Sequence, residues 1–120
     1  MRVLILDDEP DICMLVRANV RRWGHECESA HTVARGRDLC ETFRPDVLLL
    51  DVAMPEQDGP TFLTDIRAAG LAPRHVVFLS AIPAEELRAL ADEHGVGAIS
   101  KPFTAEALET ACGPILGGCR

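Results

Sequence analysis

The chain has 120 residues, 48% of them apolar and 26% charged, and carries a net charge of -7. That is enough chain for one domain with one buried core, and the composition excludes a disordered segment. The acidic balance argues against nucleic-acid binding, which needs Lys and Arg patches, and no apolar run approaches the roughly 20 residues of a membrane span. The start Met1-Arg2-Val3-Leu4 enters a strand without a signal-peptide pattern, so a cytoplasmic protein is expected. Five cysteines (Cys13, Cys27, Cys40, Cys112, Cys119) are odd in number and lack Cys-x-x-Cys spacing. Reduced, mostly buried thiols are expected rather than a zinc site or a disulfide framework. The histidines (His25, His31, His75, His94) show no metal-ligand spacing either and read as surface or strand-start residues.

Strand and helix signals alternate along the chain. A strand around Arg2 to Leu6 is followed by Pro10, which suits the first turn of a helix because its missing N–H would be unpaired there. The helix from about Asp11 to Trp23 sets Ile12, Leu15, Val16, Asn19 and Val20 along one stripe and stops at Gly24. A weaker strand covers Glu26 to Ser29. Thr32 caps a second helix, which runs to about Phe43 and ends before Arg44-Pro45. The third strand is Val47 to Leu50, then a loop runs from Asp51 to Gly59, and Pro60 opens a helix ended by Gly70. Val76 to Leu79 is the fourth strand and Ala84 to His94 its helix. A short strand at Ala98 to Ser100 precedes Pro102, and Thr104 caps the last helix.

Five βα units with right-handed crossovers predict an α/β fold, a doubly wound parallel sheet with helices on both faces. Periodicity does not fix the strand order. The loop lengths and the acidic strand ends favour 2-1-3-4-5, with a site at the switch between the first and third strands.

The apolar strands run into Asp7-Asp8-Glu9, Asp51, Ser80 and Lys101-Pro102. A parallel sheet presents these together at its carboxyl edge, where open α/β sheets bind ligands. Three carboxylates, a hydroxyl and an ammonium suit a divalent cation beside a phosphoryl group. Magnesium keeps several waters, so two direct carboxylates and a backbone carbonyl would suffice. Asp51 is the candidate nucleophile, because a carboxylate can attack phosphorus when a metal and a cation screen the repulsion. Lys101 supplies the fixed charge. Ser80 can donate to a phosphoryl oxygen, as can the backbone N–H groups of neighbouring loop residues such as Ala53 and Ala81. The plainer reading is that Asp7, Asp8, Glu9 and Asp11 cap the first helix and favour its dipole. That reading does not explain why Asp51 also closes an apolar strand.

The chain resembles the receiver domain of two-component response regulators. The matching residues are Asp7-Asp8-Glu9, Asp51-x-x-Met54-Pro55-x-x-Asp58-Gly59, Ser80-Ala81 and Lys101-Pro102-Phe103, and the resemblance spans essentially all 120 residues, read as one domain. It implies a flavodoxin-like fold, for which the chemotaxis receiver is a standing illustration. It further implies that Asp51 accepts phosphate from a sensor histidine kinase or a histidine phosphotransfer protein. Asp8, Asp51 and the Ala53 carbonyl would bind Mg²⁺ directly, and Asp7 would act through water. Lys101 would hold a phosphoryl oxygen, and Ser80 would swing onto it after phosphorylation. The face of the fourth helix, fifth strand and last helix would meet a downstream protein or an output domain. Met54-Pro55 and Asp58-Gly59 read as loop-shaping residues.

Two departures stand out. Family members commonly carry Tyr, Phe or His three residues before the lysine, where this chain has Ala98. The positions two after the aspartate and two after the hydroxyl, which tune phosphate lifetime, are Ala53 and Ile82, and neither can orient a water. A haloacid-dehalogenase-like phosphohydrolase would need an acidic residue at Ala53. A flavodoxin-like cofactor binder would need a Ser/Thr/Gly-rich loop where Asp7-Asp8-Glu9-Pro10-Asp11 would repel its phosphate. A degenerate docking receiver would lack the acidic set, Ser80 or Lys101, though Ala98 favours it. The tail from Cys112 to Arg120, with three glycines and a proline, should bend or fray, as a natural end or the start of a linker.

Overall fold

The computed structural model describes residues 1–117; Cys119 lies outside them. Five strands, β1 (Arg2–Leu6), β2 (Glu26–Ala30), β3 (Val47–Asp51), β4 (His75–Ser80) and β5 (Gly97–Ser100), alternate with five helices. The helices are α1 (Pro10–Arg22), α2 (Val33–Thr42), α3 (Gly59–Ala68), α4 (Ala84–His94) and α5 (Ala105–Cys112). All strand pairs are parallel, and the order is β2-β1-β3-β4-β5, as expected from the loops and strand ends.

Alternation along the strands divides the core in two. Val3, Ile5, Val47, Leu49, Val77 and Leu79 pack with Val16 and Val20 of α1 and Leu108 of α5. Leu4, Leu6, Leu48, Leu50 and Phe78 face the other way, against Leu39 of α2, Phe62 and Ile66 of α3, and Leu87 of α4. Both faces of the sheet are covered, which is why the strands read as unbroken apolar runs.

Element ends differ from expectation by about a residue, in directions the capping explains. The first helix begins at Pro10 rather than Asp11. The third begins at Gly59, because the Asp58 side chain accepts the Thr61 N–H at 2.8 Å and sets its cap there. Thr32 and Thr104 cap α2 and α5 as the sequence suggested. The stripe on α1 is shifted: Cys13, Val16, Asn19 and Val20 are buried, while Ile12 and Leu15 are only half-buried. Cys13, Cys27, Cys40 and Cys112 are all buried, and Cys13, Cys27 and Cys40 are free thiols. No helix among the described residues is long and apolar enough to cross a membrane.

Candidate functional site

Register assembles the site. Leu6 pairs with Leu50, so Asp7, just past β1, and Asp51, the last residue of β3, stand side by side at the sheet edge. Ser80 pairs with Ser100, and the Lys101 N–H donates to the Ser80 carbonyl at 2.8 Å, which brings Lys101 to the same edge. Carboxylate oxygens of Asp7, Asp8 and Asp51 lie within 4.8 Å of one another. Asp7 and Asp51 are buried and Asp8 is exposed. A cavity of about 460 Å³ opens over them, lined by Asp8, Glu9, Asp51, Ala53, Ser80, Ala81, Ile82 and Lys101. Every residue assigned to the site from sequence is therefore gathered in or beneath one cavity. Ala98 is not among them; it lies exposed on β5, beside a separate cleft against α4.

Lys101 organises the charges. Its Nζ stands 2.8 Å from Asp7 Oδ2, 2.9 Å from Glu9 Oε1 and 3.5 Å from Asp51 Oδ1. Burial works against its charge, but the carboxylates of Asp7, Glu9 and Asp51 outweigh that and hold its pKa above the ordinary lysine value. Asp51 is pushed the other way. Burial first, then the neighbouring Asp7 carboxylate, raise its pKa to about 7, against the opposing pull of Lys101.

Backbone donors fix the carboxylates. The Glu9 N–H donates to Asp7 Oδ1 at 2.9 Å and the Ala53 N–H to Asp51 Oδ1 at 3.2 Å. Asp7 Oδ2 is buried with the Lys101 ammonium beside it but without a well-directed hydrogen bond. Ser80 Oγ accepts the Ile82 N–H at 3.1 Å, so in this state its hydroxyl is tied to the loop after β4. Crowded, incompletely satisfied carboxylates with only oxygen donors suit a hard divalent cation, and Mg²⁺ fits the set.

The loop after β3 shows what its motif residues do. Met54 is buried in the core on the α3 side, and Asp58 caps α3. Gly59 donates its N–H to the Val52 carbonyl at 2.8 Å, close under the Asp51 backbone. For Glu9 the sequence offered only a part in capping the first helix. As the N-cap of α1 it makes no capping bond with its side chain, which reaches Lys101 instead. Lys101 is also the only lysine among the 12 basic residues, a compositional signal that was readable from the start.

The family profile described as "Response regulator receiver domain" matches residues 3–112. The chain belongs to the response regulator receiver family. This receiver is 36% identical over 102 residues to the protein-glutamate methylesterase/protein-glutamine glutaminase 1 of Anaeromyxobacter dehalogenans, an alignment covering 84% of this chain and 29% of that protein. It is 34% identical over 102 residues to the KDP operon transcriptional regulatory protein KdpE of Escherichia coli, covering 84% of this chain and 44% of the relative. The receiver thus spans less than half the length of either relative. Among solved structures, chemotaxis protein CheY4 of Vibrio cholerae superposes with a TM-score of 0.85 at 25% identity, over 95% of this chain and 97% of that one. The flavodoxin-like fold and a receiver's role in two-component signalling follow from these likenesses. The enzymatic activity in the first relative's name is that protein's own; this chain matches the receiver family over residues 3–112. Receivers of this family generally bind Mg²⁺ at an acidic pocket and interact with histidine kinases and output domains.

Proposed function

We propose that Asp51 is the phosphoacceptor of this receiver. The observation that carries the reading is the buried Asp51 carboxylate, set between the Lys101 ammonium at 3.5 Å and the carboxylates of Asp7 and Asp8. An Asp51 oxygen attacks the phosphorus of a phosphohistidine. The P–N bond breaks, and its electron pair stays on the imidazole nitrogen, which takes up a proton. Asp8, Asp51 and the Ala53 carbonyl would hold Mg²⁺, with Asp7 acting through water, and the bound ion would neutralise charge at the phosphoryl oxygens. Lys101 binds one phosphoryl oxygen, and the backbone N–H groups at Ala53 and Ala81 bind others. Ser80 exchanges its bond from Ile82 for one to the phosphoryl group.

The donor is a sensor histidine kinase or a histidine phosphotransfer protein. The face of α4, β5 and α5 meets a downstream protein or an output domain, with no direct nucleic-acid contact and no membrane insertion, in the cytoplasm. Residues 1–120 act as one receiver domain, catalysing only their own phosphorylation and its hydrolysis. Intact-mass measurement after incubation with Mg²⁺ and acetyl phosphate tests the assignment. One added phosphoryl group is expected on the wild type and none on Asp51→Asn; equal labelling of the two would refute it.

A further inference from the structure

We infer that Glu9 is a positioning residue for phosphoryl transfer: its carboxylate holds the Lys101 ammonium in the unphosphorylated state and is displaced when Asp51 is phosphorylated. The inference rests on Asp51 being the phosphoacceptor, as proposed above. It starts from an ion pair that helix capping does not explain. A carboxylate at the head of α1 could meet the free N–H groups of the first turn, yet the Glu9 side chain turns away from them. It reaches instead a residue 92 positions away that lines the same cavity, with Oε1 2.9 Å from Lys101 Nζ.

The two close partners of Lys101 are not equivalent. Asp7 is fully buried at a strand end, with its other oxygen held by the Glu9 N–H, so it cannot follow or release the ammonium. The Glu9 side chain is 58% exposed and can swing into solvent. Asp51 is the most distant of the three carboxylates around Nζ. A phosphoryl group there brings about 1.5 to 2 negative charges and three acceptor oxygens. The ammonium then has a better partner on the Asp51 side, and Glu9 yields. Until that happens Glu9 occupies one of the ammonium's three donor directions and adds a like charge beside the path of an anionic donor. Its role is therefore to oppose premature phosphoryl capture, acting through Lys101 without touching the reacting atoms.

The single lysine makes this testable without ambiguity, because lysine labelled with ¹⁵N gives one side-chain ammonium signal. The experiment compares wild type, Glu9→Gln and Glu9→Asp, reading that signal with and without Mg²⁺ and acetyl phosphate. Initial phosphorylation rates are measured against acetyl phosphate concentration. Glu9→Gln should move the ammonium signal of the unphosphorylated protein and lower the KM for acetyl phosphate by about two- to five-fold, the range of an exposed ion pair, with little change in the maximal rate. Glu9→Asp, which keeps the charge, should lie nearer to wild type. An unchanged lysine signal and KM in Glu9→Gln would overturn the inference. So would a raised KM with loss of the Mg²⁺ response, which would make Glu9 a metal-site residue. Wild type left unlabelled at Asp51 would instead overturn the phosphoacceptor assignment itself.

Discussion

Gly59 lies directly under Asp51: a Cβ on Gly59 would stand 2.5 Å from the Asp51 carbonyl oxygen and 3.0 Å from the Val52 Cα. Both obstacles are backbone, so the strand end carrying the phosphoacceptor would have to move. Gly59→Ala should therefore cost about 1–3 kcal/mol of stability, the usual range for overpacking, and slow labelling of Asp51. Urea unfolding and the mass assay check this together. Gly36→Ala is the comparison, since the three atoms nearest its Cβ would all belong to the Leu6 side chain, the closest at 2.6 Å, and none to backbone. It should cost less and leave labelling intact.

The raised pKa of Asp51 predicts how the metal-free protein responds to pH. Burial and the neighbouring Asp7 carboxylate push the pKa of folded Asp51 up to about 7, against roughly 3.9 for an unperturbed aspartate. Below the lower value both states are protonated and the group contributes nothing. Between the two, the unfolded chain gives up its proton while the folded one keeps it, so stability falls as pH rises and levels off above about 7. In EDTA, Asp51→Asn should raise stability at pH 8 by about 1–2 kcal/mol and have little effect near pH 4. Equal gains at both pH values would point to a cause other than ionisation.

Divalent cation should relieve the same crowding. Saturating Mg²⁺ at about ten times its Kd should add roughly 1.4 kcal/mol, or about 5 °C in Tm. Asp8→Ala should abolish most of that gain, because Asp8 is the exposed carboxylate at the rim of the cavity. A full gain in Asp8→Ala would move the cation elsewhere.

Phosphate lifetime should be set by what Ala53 and Ile82 lack. Both line the cavity with Asp51, and neither carries a polar group on its side chain that could orient an attacking water. The acyl phosphate should be comparatively long-lived. Ala53→Asn and Ile82→Glu should each speed its hydrolysis by roughly tenfold, less than a fully placed general base supplies. Rates that stay the same, or fall, would show that water attack is limited elsewhere.

The signal should leave the site by backbone displacement. The cleft beside Ala98, about 180 Å³ in volume, is lined by Ala84, Leu87, Arg88 and Ala91 of α4. No aromatic at position 98 turns into it on activation. Amide shift changes on phosphorylation should concentrate over Ser80–Arg88 in the wild type and extend across β5 and α5 in Ala98→Tyr. Wild-type changes that already reach α5 would refute the restriction.

The alternation of apolar strands and amphipathic helices determined the architecture. Buried parallel strands need continuous apolar runs, and each helix needs one apolar stripe, so both leave strong local signals. The chemical identity of the site was equally legible, because Asp7, Asp8, Asp51, Ser80 and Lys101 each interrupt such a run at its carboxyl end. Distances and competition between partners were not. Register decides that Asp7 and Asp51 stand together, and burial, with Asp7 alongside, pushes the Asp51 pKa up to about 7. That Glu9 leaves its helix end for Lys101 depends on two segments 92 residues apart meeting across the sheet edge. Local sequence cannot encode that choice, because a carboxylate's partner is selected by the charges that folding brings within reach.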